Sequence, residues 1–353
     1  DDTSFLSVHS ANTTNPLDSP DTFKKVILEQ WENWCSIFLS TGHVAEITRV
    51  LPLDPEVGLS KNVYNSILEF WLSSQDSNMF CRLFNQWSVE LYDVSDIQRQ
   101  VEAKLRESPQ NDILRKSLIE SFNRNNQAVK SVKHLMILKD PSIVQFLSQN
   151  HLISHFKDDL PEIIKLAAGG KQNADTVPIK ELRGMLLESV KVLVDERHEI
   201  VPLKFLDLMH RANLDYVNFF YIEKLLEIDE YATRNFGDNI IYLYAQFDRP
   251  KLLSYLMKHS NYNIDEAIKL CEENDFIEEL VYLLGKIGQS RRALMLIINK
   301  LDDPEKAIRF AKHQNEREAW DLLIEYSMNK PLFIKALIEL SDDQLISFYD
   351  PTS

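Results

Sequence analysis

Glu266-Ala267-Ile268-Lys269-Leu270-Cys271 and Lys306-Ala307-Ile308-Arg309-Phe310-Ala311 are two versions of one amphipathic phrase. An offset of 40 carries Ala267 onto Ala307, Leu280 onto Trp320, Leu283 onto Leu323 and Leu284 onto Ile324. Backwards, it carries Leu283 onto Leu243 and Gly285 onto Ala245. Self-similarity near this period predicts stacked helical hairpins, because one hairpin cannot bury its own apolar face.

The local chemistry of residues 263–340 agrees. Ile264, Ala267, Ile268 and Cys271 share one helical face. Asn263 is placed to cap that helix, and Glu266 to reach back to the cap's amide. Phe276, Leu280, Leu283, Leu284 and Ile287 form the next stripe, and Gly288 offers a left-handed stop. Ser290 is read as the cap of a third helix, with Leu294, Ile297, Ile298 and Leu301 inside. Asp303-Pro304 opens a fourth, since proline suits the first helical turn. Every helix start here is expected to carry a cap, and no stretch alternates as a strand does.

Working outward, residues 1–20 are rich in Ser, Thr, Asn, Asp and Pro and read as a flexible lead-in. The sequon Asn12-Thr13-Thr14 falls there and reads as chance. Residues 21–168 read as N-terminal hairpins. Trp31, Trp34 and Phe38 are expected on one buried face, and Gly42 ends that helix. Tyr64, Ile67, Leu68 and Trp71 stripe the next helix; Met79, Leu83, Phe84 and Trp87 stripe the one after. Leu91-Tyr92-Asp93 leads into a helix from Val94 to Glu107. Asp140-Pro141 repeats the device at Asp303-Pro304. Residues 169–178 break the pattern with Gly169-Gly170 and Pro178, and are expected to form a mobile loop dispensable for folding. Residues 179–353 read as the C-terminal solenoid, ending in two short helices after Pro331. The fold class is all-α, an α-solenoid of stacked helical hairpins.

Composition narrows the function. The 353 residues carry a formal charge of −15, which argues against general nucleic-acid binding, where affinity rests on neutralising phosphates. Eight glycines leave little room for phosphate-cradling loops. Cys35, Cys81 and Cys271 lie apart within apolar pattern and read as buried free thiols of a reducing compartment. No apolar run reaches the length of a membrane span. The chain opens at Asp1 rather than methionine and reads as a piece of a longer protein.

No zinc pattern, phosphate loop or nucleophile elbow is present. Asp195-Glu196-Arg197-His198-Glu199 holds one histidine where a zinc motif needs two a helical turn apart, so no metal ligand and no cofactor are assigned. The candidate partner surface is Glu272, Glu273, Asp275, Glu278 and Glu279, with the basic Lys286, Arg291 and Arg292 near a hairpin tip. These residues lie off the apolar stripes and are expected to point outward, as a solvated face or a docking surface. An enzyme with a helical-bundle active site is the rival reading; it requires carboxylates and histidines facing one cavity.

These stripes resemble the clathrin heavy-chain repeat of endosomal and vacuolar tethering proteins. Further motifs resemble the solenoid of the vacuolar protein sorting-associated protein forty-one family: Tyr64-Asn65-Ser66-Ile67-Leu68-Glu69, Leu138-Lys139-Asp140-Pro141, Arg197-His198-Glu199-Ile200, Asp248-Arg249-Pro250-Lys251 and Tyr326-Ser327-Met328-Asn329-Lys330-Pro331. The resemblance runs from about Phe23 to Leu340. It implies a non-catalytic subunit of the HOPS tethering complex, cytoplasmic and peripheral on vacuolar or late endosomal membranes, also serving the AP-3 route. Implied partners are other HOPS subunits, the AP-3 adaptor or a second copy of the region. A segment of another coat or tethering protein with the same repeat is the alternative. The family's β-propeller and RING-type zinc module have no counterpart here, so their properties do not carry over.

Overall fold

Short polar side chains start many of the helices. Ser60 accepts from the Asn62 amide at 3.3 Å, Asp93 from Asp96 at 3.1 Å and Asn111 from Leu114 at 3.0 Å, each satisfying an amide that the first turn leaves free. The computed structural model describes residues 20–74, 77–170, 177–229, 231–314 and 317–339. Among them every regular element is helical. The expected lead-in falls almost wholly outside the described residues, as do residues 171–176 of the expected loop and the second of the two terminal helices.

Contacts divide the chain into residues 1–143 and 144–353. The first unit holds α1 (Pro20–Ser40), α2 (Val44–Val50), α3 (Lys61–Ser73), α4 (Ser77–Gln86), α5 (Val94–Glu107), α6 (Asp112–Arg124) and α7 (Ala128–Leu138). Each helix packs on its successor or next-but-one: α3 meets α4 and α5, and α6 meets α4, α5 and α7. That pairing is the signature of a stacked solenoid. Aromatic rings fill the interior. Tyr64 meets Trp87 edge-on at 5.5 Å, and Phe80 stacks on Phe84 at 5.2 Å.

Trp34 departs from the expectation: it is 55% exposed. The face of α1 that packs runs through Leu28, Trp31, Cys35 and Leu39. Trp34 sits one residue from Cys35, about 100° round the helix, so the buried aromatic face keeps Trp31 and Phe38, both only partly covered.

A buried polar pair joins α6 to α7. Arg115, 4% exposed, donates from Nη1 to His134 Nδ1 at 3.2 Å and from Nη2 to the Pro109 carbonyl at 2.8 Å. Burial pushes the His134 imidazole below its ordinary range; the Arg115 cation lowers it further, and Glu102 opposes in part. In the unfolded chain this histidine titrates near 6.5, so as pH falls through about 6.5 the unfolded state gains a proton that the folded state refuses. Stability is therefore lost toward acid. Urea midpoints should drop more steeply between pH 7.5 and 5.5 for the native chain than for His134→Gln, whose amide still accepts from Arg115. Parallel profiles would refute this.

The second unit holds α8 (Ile143–Gln149), α9 (Leu160–Ala167), α10 (Ile179–Asp195), α11 (Pro202–Arg211), α12 (Asp215–Ile228), α13 (Gly237–Phe247), α14 (Arg249–Lys258), α15 (Ile264–Glu273), α16 (Ile277–Lys286), α17 (Ser290–Leu296), α18 (Pro304–Gln314), α19 (Arg317–Ser327) and α20 (Pro331–Ile338). A π turn at Ile297–Leu301 extends α17. Gly169 and Gly170, both at φ +73°, follow the end of α9, and Val177 beyond them is buried. α12 touches α10, α11 and α13, so it buries residues all round, from Tyr216 to Glu223. The buried Glu223 carboxylate is paired with both Arg183 of α10 and Lys251 of α14, as a charge out of water requires.

The repeat is real, but its unit differs from the 40-residue echo. Helices α13, α15, α17 and α19 start 26 or 27 residues apart, and α13 packs on α15, α14 on α16, α17 on α19 and α18 on α20. That is the hairpin spacing. An offset of 40 carries α15 onto α18, three helices on. It matched because each helix buries a similar stripe: Ala267 and Ala307, Cys271 and Ala311, Leu283 and Leu323 are all buried.

The caps show what is local and what is not. Asp303 accepts from the Lys306 amide at 2.9 Å, and Gly288 lies at φ +73° after α16, as expected. Asn263 accepts from Asp265 and Glu266. Its own amide, however, goes to Asp238 Oδ1 of the preceding hairpin at 2.7 Å, not to Glu266. Ser290 is the buried first residue of α17, with Gln289 at the cap. Contrary to the expectation for residues 263–340, the starts of α16, α17 and α20 lack a side-chain cap bond, as do those of α2, α7, α11 and α12; α11 and α20 instead begin with Pro202 and Pro331, which have no amide to satisfy.

Candidate functional site

The acidic end of α15 and the basic start of α17 face each other because α16 turns the chain back between them. Glu272, Asp275, Arg291 and Arg292 thereby line one groove of 580 Å³. Its apolar lining comes from Leu280, Met295 and Leu296. Along the rim Arg292 pairs with Glu272 at 2.5 Å, and Lys300 with Asp275 at 3.6 Å. Arg291 donates to the Tyr326 hydroxyl at 3.3 Å and has no carboxylate within 4 Å among the described residues. The groove thus offers an apolar strip, two neutralised ion pairs and one uncompensated guanidinium.

The other four candidates lie elsewhere. Glu273 pairs with Lys269 at 3.8 Å, and Glu278 with Lys306 at 2.5 Å. Lys286 lies over the Tyr262 ring at 4.9 Å and donates to its hydroxyl. Glu279 overturns the expectation that these side chains point outward. It is 4% exposed, and its carboxylate faces Arg249 of α14 at 3.4 Å. The reason is that α16 packs on α14, so the face carrying Glu279 is an interior one.

Cys35, Cys81 and Cys271 are free and buried, as read from their surroundings. Cys271 borders the groove, but burial, with Glu279 beside it, pushes its thiol up to about 12. A thiol held protonated in this way is a poor nucleophile.

A second groove, of 740 Å³, was not visible in the sequence. It lies among α11, α12 and α13, lined by Leu203, Asp207, His210, Asp215 and Tyr242. His210 Nδ1 meets Asp215 Oδ1 at 2.8 Å, with the Tyr242 ring edge-on to the imidazole. Leu203, on the wall of the groove, is 54% exposed.

The Asp195–Glu199 stretch also gathers more than its spacing implied. Glu196, His198 and Glu199 bring donor atoms within 4.8 Å of one another.

Helices that stack pairwise on their neighbours, with open grooves between them, define a TPR-like α-solenoid. Residues 20–348 match the family model of the Vps41 TPR-like region, and the chain belongs to that family. It is 28% identical over 355 residues to vacuolar protein sorting-associated protein 41 of Saccharomyces cerevisiae, covering 96% of this chain and 36% of that protein. It is 31% identical over 312 residues to the Danio rerio homolog (88% and 34%) and 31% over 309 residues to the Homo sapiens homolog (87% and 34%). The chain thus spans about a third of the length of these curated relatives. No solved structure matches it.

Proposed function

We propose that this chain is the helical scaffold segment of a vacuolar protein sorting subunit, working by protein contact and without catalysis. The observation that carries this reading is the family match across residues 20–348, together with relatives named for vacuolar protein sorting. At finer grain, the scaffold serves the HOPS tethering complex and the AP-3 route, on the strength of the clathrin heavy-chain-repeat resemblance. Its place is then peripheral, on vacuolar or late endosomal membranes. No helix among the described residues is long and apolar enough to cross a membrane.

The groove between α15 and α19 suits an extended peptide segment. Its apolar lining gives contact area, and Arg291 offers a partner-facing cation. Surface charge at such a rim tunes association rate and partner choice more than final affinity. Pull-down of purified HOPS and AP-3 subunits by this chain tests the reading. At least one subunit should be retained, and Arg291→Glu with Met295→Asp should weaken retention at least tenfold while leaving the melting temperature unchanged. Retention of none would remove the HOPS and AP-3 assignment. Retention unaffected by the double variant would move the contact to another face.

A further inference from the structure

The turn after α10 closes tightly: the Glu199 amide donates to the Glu196 carbonyl at 2.9 Å, and the Arg197 amide to Val194 at 3.3 Å. This brings Glu196, His198 and Glu199 together. The turn after α8 faces it. There His151 takes φ +53°, a left-handed conformation that an ordinary side chain adopts at a cost. From that position its Nδ1 lies 3.7 Å from Glu199 Oε1.

Each carboxylate is anchored by one oxygen and turned to a histidine by the other. Ser148 Oγ donates to Glu196 Oε1 at 2.7 Å, while Glu196 Oε2 lies 3.2 Å from His198 Nε2. The Ser154 amide donates to Glu199 Oε2 at 3.0 Å, leaving Oε1 for His151. The Glu196 and Glu199 side chains are only 18% and 10% exposed. Among the described residues neither has a lysine or arginine within 4 Å. Two poorly hydrated carboxylates with histidines but no lysine or arginine beside them favour a positive charge between them. With bonds of 2.0–2.2 Å and tetrahedral angles, neighbouring zinc ligands stand about 3.3–3.5 Å apart. The 3.2 Å Glu196–His198 pair lies close to that spacing, and the donor atoms of Glu196, His198 and Glu199 all lie within 4.8 Å of one another.

We propose that Glu196, His198 and Glu199, in the turn after α10, form a three-ligand site for a divalent transition metal of the Zn²⁺ class, with His151 of the turn after α8 beside it at 3.7 Å from Glu199. An imidazole with two carboxylates, leaving a fourth position open, suits zinc over Mg²⁺ or Ca²⁺, which prefer all-oxygen shells. Ser148 and the Ser154 amide play the outer role of orienting the ligands. The spacing within Asp195–Glu199 concealed the site because a tight turn, not a helical face, gathers its three donors.

The test uses the 353-residue chain stripped of metal and dialysed against Zn²⁺, with bound metal measured by mass spectrometry and the melting temperature recorded. One zinc per chain is expected at micromolar concentration, with a rise in melting temperature that Mg²⁺ does not reproduce. Glu199→Gln should weaken binding at least tenfold. The His151 and His198 side chains are 81% and 70% exposed, so the pair His151→Gly with His198→Ala keeps the fold. Glycine also relieves the left-handed position. This double variant should melt no lower than the native chain without zinc and gain nothing from it. No binding at 100 µM Zn²⁺, about a hundredfold above the expected range, would overturn the proposal. So would equal binding by the native chain and the double variant.

Discussion

Gly237→Ala should destabilise the second unit by about 3 kcal/mol or more, among the larger effects a single methyl group can have. A Cβ at this position would stand 1.9 Å from the Asn261 carbonyl oxygen and 2.7 Å from its carbon. Both are backbone atoms, so no side chain can swing aside. The close approach holds one hairpin against the next. Asn261 Nδ2 donates to the Arg234 carbonyl at 2.8 Å, and the Asn263 amide to Asp238 at 2.7 Å. Pushing the segments apart loses these bonds along with the α13–α15 packing. Gly184, inside α10 with nothing within 4 Å of an added Cβ, is the control. Gly184→Ala should stabilise by about 0.5–1 kcal/mol, as alanine does in an open helix. Urea midpoints followed by circular dichroism check both. A Gly237→Ala midpoint equal to the native one would mean that the close approach does not exist.

Leu284→Asp should cost about 4 kcal/mol or more and lower the melting temperature of the C-terminal helices sharply. Leu284 has no exposed surface, and its neighbours Leu280 and Leu283 are buried with it. α16 packs on α14, α15 and α17, so a carboxylate there enters an apolar interior. It must either stay charged without hydration or take up a proton, and both are costly. Ile287 makes the comparison sharp. It belongs to the same sequence stripe, yet it caps the helix end and is 37% exposed. Ile287→Asp should cost under about 1 kcal/mol. Equal effects from the two substitutions would show that the stripe is buried to its end and the register misplaced.

Much of the fold could be read residue by residue. Val94–Glu107 and the Asp303 start emerged from caps and spacing because a helix is closed by bonds between near neighbours. The apolar residues of α15 and α18 were legible for the same reason, since periodicity reports which face is covered. What covers that face is not in the periodicity. Trp34 and Cys35 look alike as apolar residues one position apart, and only the course of α2 and α3 chooses between them.

The candidate groove was half legible. Charge pattern picked out Glu272, Asp275, Arg291 and Arg292, which the turn of α16 brings together. The same pattern placed Glu279 outside, because sequence alone does not reveal the Arg249 cation that lets a glutamate be buried.

Sequence by itself determined that the described chain is helical, where several helices begin and stop, and most of the apolar stripe of each; these rest on bonds and contacts within about one turn. Tertiary structure alone decided the 26–27-residue hairpin spacing, the need for glycine at 237, the burial of Glu279 and the meeting of His151 with Glu199. Each of these depends on atoms from separate helices or turns, whose distance is set by packing and leaves no trace in the order of residues along either one.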